Sequence, residues 1–67
     1  MSVARVTEIT SASSKSFKDA IEIGIGRANK TLKNVKGAWI KEQKIVVEEG
    51  EIAEYRVTMK VTFVLEG

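Results

Sequence analysis

Sixty-seven residues make one domain, and a chain of this size buries only about 60% of the surface it exposes when unfolded, so its own interior is small. With no Cys and no His, the disulfide and metal staples that hold many such domains are missing, and association with further copies remains as the way to gain buried area. Eleven basic against nine acidic residues, a net charge of +2, are too balanced for a phosphate-driven grip on nucleic acid, and no run approaches the roughly 20 apolar residues of a membrane span.

The start of the chain lacks the basic segment and apolar run of a secretory leader. The expectation is a single domain, residues 1–67, in the cytoplasm, with no nucleic-acid or membrane partner. No Pro interrupts any element, and the chain reads as strand, helix, strand, strand. Val3 to Thr10 is rich in β-branched residues but alternates poorly. Thr10-Ser11-Ala12-Ser13-Ser14 follows, a hydroxyl cluster suited to leaving a strand, with Ser13 or Ser14 as the expected helix N-cap. Phe17, Ala20, Ile21, Gly24, Ala28 and Leu32 then recur at spacings of three and four, one buried stripe on a helix of about five turns. Gly24 and Gly26 each cost that helix about 1 kcal/mol relative to Ala. Gly24 lies on the stripe, which points to a close approach of helix to sheet. Lys30, Lys33 and Lys36 fall near the helix C-terminus, where cations complement the dipole and face solvent.

Val35 to Glu48 reads as a second strand and Glu49-Gly50 as a hairpin turn. In the last strand Tyr55, Val57, Met59, Val61, Phe63 and Leu65 alternate with Arg56, Thr58, Lys60, Thr62, Val64 and Glu66, giving one apolar face and one mostly polar face. Pairing Glu48 with Glu51 sets Ile40 opposite Met59 and Ala38 opposite Val61, on the core side. The other parity then gathers Gly37, Trp39, Lys41 and Gln43 with Arg56, Thr58, Lys60 and Thr62 on the face turned from the helix, Gln43 directly opposite Arg56. Trp39, the only Trp of the chain, has two readings there. It is covered by another subunit, or it walls a cleft for a flat ligand. Stacking adds only ~0.5–1.5 kcal/mol beyond area burial, so such a cleft needs walls from more than one subunit.

Enzyme chemistry finds little support. Without His or Cys the usual nucleophile–base pairings are missing, and Gly24-Ile25-Gly26 lies inside a helical pattern, where it is no dinucleotide fingerprint. Glu42, Glu48, Glu49, Glu51 and Glu54 crowd around the hairpin. Hard cations such as calcium want several oxygen ligands, but this spacing matches no converging loop and reads as a solvated hairpin end.

The element order, with Ser13-Ser14-Lys15-Ser16-Phe17 opening the helix, Arg27-Ala28 inside it, Thr31-Leu32-Lys33-Asn34-Val35 leaving it and Tyr55-Arg56-Val57-Thr58-Met59-Lys60-Val61-Thr62-Phe63 closing the chain, resembles the dodecins over nearly the whole length. The resemblance implies an α+β fold: a β-α-β-β subunit whose three-stranded antiparallel sheet, order 1-3-2, wraps one helix, with copies assembling into a hollow homododecamer. It also implies a non-enzymatic small-molecule-binding protein that sequesters or stores flavin (riboflavin, FMN or FAD) at subunit contacts. There a Trp of the second strand stacks on the ring and a Gln of the third meets its polar edge. Other members bind calcium or coenzyme A.

Aligned without gaps from Asn34-Val35 onward, this chain carries Gly37 where the flavin-binding dodecins have that Trp and Arg56 where they have that Gln. It therefore resembles the branch lacking the Trp at the usual stacking position. Trp39 lies two residues on, about 6.5–7 Å along the strand and on the same face. The cofactor-binding set that follows is Gly37, making room for a ring; Trp39, its wall; Gln43, the polar-edge contact; and Arg56. Arg56 is a donor only and suits an anion, either a phosphate or the carboxylate of Glu42 or Glu54. The alternative is a shell that binds calcium, coenzyme A or a phosphorylated cofactor, or that has no flavin function.

Overall fold

Four elements follow one another in the computed structural model, which describes residues 3–65: β1 (Val3–Ser13), α1 (Phe17–Thr31), β2 (Val35–Glu48) and β3 (Glu51–Leu65). Glu66, the expected last residue of the alternating pattern, lies outside the described residues. The strands form one antiparallel sheet in the order β1-β3-β2. The third strand is central because its apolar face is the most continuous, and Val57, Met59 and Val61 on it are fully buried. Ala20 and Ala28 of the helix complete that core, with Ile9, Phe17, Ile21, Ile25, Leu32 and Val35 packed around it.

The helix stripe is as its spacing predicts, but its start differs. The N-cap is Ser16, not Ser13 or Ser14: Ser16 has extended backbone (φ −172°, ψ 165°), and its Oγ accepts the backbone N–H of Asp19 at 3.0 Å. The hydroxyl cluster is consumed earlier, because β1 continues past Thr10 and pairs Ser11 with Val57 and Ser13 with Tyr55. Ser13 is buried; its hydroxyl donates to the Asp19 carboxylate at 2.6 Å and accepts from the Lys15 N–H at 2.9 Å. Starting three residues later shortens the helix to 15 residues, about four turns rather than five.

Gly24 has the role that the stripe suggests. A Cβ there would collide with the Met59 methyl and come within 2.9 Å of the Ser11 Oγ. Ser11 itself donates to the Ala20 carbonyl at 2.5 Å and so ties β1 to the helix. Phe17 packs edge-on against Tyr55, ring centroids 5.2 Å apart, fixing the helix start over the central strand. At the other end the Leu32 N–H bonds the Ala28 carbonyl, and Asn34, at φ 60°, returns the chain to the sheet with its carbonyl accepting from Val64.

The hairpin turn is Glu49-Gly50, with φ of 52° and 77°. These left-handed values match the twist of the flanking strands in a two-residue loop. Glu48 pairs with Glu51, Ile40 with Met59 and Ala38 with Val61, as the alternation predicts. The helix lies over β1 and β3, leaving a groove of about 390 Å³ between it and β2. Beyond the helix the hairpin runs on alone, with Ile45, Val47 and Ile52 exposed, in a subunit 51 Å long and 13 Å thick.

Candidate ligand-binding face

The sheet has a second face, turned from the helix, and the register decides what it carries. Since Val57, Met59 and Val61 point inward, Arg56, Thr58, Lys60 and Thr62 point outward from β3. On β1 the residues opposite these are Ala12, Thr10, Glu8 and Val6. On β2, Trp39 stands opposite Lys60 and Gly37 opposite Thr62, so both share the outer face as expected.

Gln43 does not. The ladder shifts by one residue between Ile40 and Glu42 and shifts back between Val46 and Val47, so that Gln43 pairs with Val57 and Lys44 pairs with Arg56. Lys41 is the extra residue on β2 and Ala53 the extra residue on β3. A bulge of this kind sets two residues against one and reverses the facing of all that follows until the count is restored. The expected contact of Gln43 with Arg56 is therefore replaced by Lys44 opposite Arg56, and Gln43 joins the side of Ile45 and Val57. Lys41 keeps the outer face, where its Nζ crosses β3 to the Glu8 carboxylate of β1 at 3.3 Å.

The outer face is thus a polar surface with one large aromatic. Trp39 is 51% exposed, and the Lys60 ammonium lies 5.7 Å from its ring centroid. Such a cation–π contact is worth about 0.5–1 kcal/mol at an exposed site and holds one face of the indole. Next to it Gly37 leaves open space, since a Cβ there would meet nothing within 4 Å. Toward the hairpin Thr10 and Thr58 share a hydroxyl contact of 3.2 Å. Arg56 donates from Nε to the Glu54 carboxylate at 2.7 Å, which leaves its terminal amino groups for another acceptor. Both ion pairs are half-exposed and contribute at most about 1 kcal/mol each. They set the positions of side chains more than they stabilise the fold. Among the described residues no three acidic, His or Cys side chains are grouped to hold a metal ion, and no helix is long and apolar enough to cross a membrane.

A β-α-β-β subunit with a central third strand, a core too small to stand alone and an aromatic on its outer sheet face defines a unit of a larger binding assembly. The dodecin family model matches residues 3–66, and the chain belongs to the dodecin family, small-molecule-binding shell proteins. It is 38% identical to the dodecin from Streptomyces davaonensis, with 98% of this chain and 97% of that one covered at a TM-score of 0.94. An arginine-to-alanine variant of the Thermus thermophilus dodecin is 30% identical, with both chains covered completely and a TM-score of 0.95. The calcium dodecin of Mycobacterium tuberculosis is 28% identical over 96% of this chain and 91% of that one, with a TM-score of 0.83. No match is found among curated proteins.

Proposed function

We propose that the chain is the subunit of a cytoplasmic homododecamer that sequesters a flavin (riboflavin, FMN or FAD) without turning it over, the ligand lying on the outer sheet face where subunits meet. The observation that carries this reading is the half-exposed Trp39 indole beside the open position Gly37. An aromatic of that size on an otherwise polar strand face gains most from covering a flat apolar partner. Lys60 occupies one side of the indole, so the ring stacks on the other. Arg56 supplies an anion contact through the amino groups that Glu54 leaves unused. Gln43 contributes nothing from the same subunit, because it stands on the other side of the sheet.

One subunit offers only one wall. Stacking on a single indole is worth ~0.5–1.5 kcal/mol beyond area burial, far short of micromolar affinity, which takes about 8 kcal/mol. The proposal therefore requires the shell, in which sister copies supply the rest. The test is titration of riboflavin with the assembled protein, followed by flavin fluorescence, in the parent and in Trp39→Ala. Quenching by the parent and its loss from an assembly of unchanged size is the expected result. No quenching at micromolar parent protein removes the flavin reading. Dissociation of the Trp39→Ala shell assigns the indole to subunit contact instead.

A further inference from the structure

Charge in this subunit is sorted by end. Between Ile23 and Lys41 the sequence contains no acidic residue and five basic ones, whereas Glu48, Glu49 and Glu51 crowd the hairpin turn. The antiparallel register separates these groups in space. Glu48 and Glu51 close one end of the sheet, and the pairs Val3–Leu65 and Val35–Phe63 close the other, where the helix also ends. Arg5, Lys33 and Lys36 are exposed around that second end, and among the described residues no acidic side chain stands there. The two groups lie toward opposite ends of a molecule 51 Å long.

Each end also carries unpartnered apolar surface. At the tip Val47 and Ile52 oppose one another and are both more than 45% exposed; at the base the opposed pair is Val3 and Leu65, both more than 40% exposed. Both ends are therefore apolar patches rimmed by charge, and the rims have opposite sign. A tip-to-tip contact would bring six carboxylates together, and a base-to-base contact would do the same with cations, and like charges across an interface are penalised. Tip against base pairs both signs and covers both patches.

We infer that copies of this chain meet head to tail, the acidic hairpin tip of one subunit docking on the basic end of the next. The contact is heterologous, and contacts of that class close into rings when the rotation permits. The inference rests on the reading that the subunit self-associates, and it goes beyond that reading by naming the two surfaces and their polarity.

Three charge-reversed chains test it by light scattering across a dilution series at low ionic strength, with far-UV circular dichroism as the check of fold. Glu48, Glu49 and Glu51 are changed to Lys in the first, Arg5, Lys33 and Lys36 to Glu in the second, and all six positions in the third. The first two are expected to need about tenfold or more protein for half-assembly, since like charges then face across the contact. The third retains the parent net charge of +2 and is expected to return to within about threefold of the parent, the opposite charges having only exchanged sides. Either single-end reversal assembling as the parent does overturns the inference, as does failure of the third chain to recover while it keeps the parent's dichroism. Should a reversed chain not fold, the salt dependence of the parent decides. Assembly that weakens with added salt supports the contact, and assembly indifferent to it overturns the contact. A parent that is monomeric at every concentration sinks the self-association reading as well.

Discussion

Gly24 and Gly26 lie two residues apart on one helix, and the structure assigns opposite signs to the same substitution at the two positions. Both gain about 1 kcal/mol of helix propensity when changed to Ala. At Gly26 nothing within 4 Å meets the added methyl, so Gly26→Ala is expected to stabilise the fold by that amount. At Gly24 the methyl meets the end of Met59 and the Ser11 Oγ. Neither has room to yield: Met59 is fully buried, and the Ser11 hydroxyl is held by the Ala20 carbonyl. Overpacking of a filled core costs about 1–3 kcal/mol. Gly24→Ala is therefore expected to be destabilising by up to about 2 kcal/mol after the propensity gain, and the two variants should differ by about 1–3 kcal/mol. Urea unfolding at one fixed protein concentration measures this, because assembly adds to apparent stability by mass action. Equal shifts of the two midpoints in the same direction would refute the claim that Gly24 is needed for helix–sheet contact.

Gly37→Trp places a second indole beside Trp39 in open space. It is expected to strengthen flavin quenching by about 2- to 10-fold in the dissociation constant, one stacking contact's worth, with no change seen if the ligand lies elsewhere. Ser16→Ala removes the helix cap and should cost about 1 kcal/mol in the same urea assay, while Ser14→Ala stays within about 0.5 kcal/mol. A reversal of that order would return the cap to the earlier serines. Millimolar calcium is expected to leave the thermal midpoint unchanged, since a ligand that prefers the folded state must raise it; a rise would show a cation site in this member of the family.

Most of the fold is legible in the sequence because the alternation of β3 is long and regular, and the two-residue turn pins the hairpin at its tip. Ile40 opposite Met59 and Ala38 opposite Val61 follow from those two facts alone. The N-cap is not legible, because Ser13, Ser14 and Ser16 are chemically alike at this distance. Only the length of β1, set by pairing with β3, decides among them. The facing of Gln43 fails for a different reason. Counting back from the turn assumes an unbroken ladder, and the two offsetting shifts leave both ends of the hairpin in the expected register while the middle is reversed.

A signal for that reversal does exist in the residues. On β2 the apolar positions are even at Ala38 and Ile40 but odd at Ile45 and Val47, and on β3 the phase changes between Ile52 and Tyr55. A strand whose apolar residues change parity must either expose half of them or insert one extra residue, and a bulge does the latter at the cost of one unpaired position. Lys41 and Ala53 are those insertions. The consequence for function is specific. The bulge at Lys41 keeps Ile45 and Val47 on the side of Val57 and Tyr55, and it turns Gln43 there with them. What remains beside Trp39 on the outer face is charged, with Lys41, Glu42, Lys44, Arg56 and Lys60 around one indole. A neutral ring edge would have to find its acceptor elsewhere, because the lysines and the arginine only donate and the Glu8 and Glu54 carboxylates are already engaged by Lys41 and Arg56. A ligand that is flat at one end and anionic at the other meets this surface without leaving a charge uncompensated.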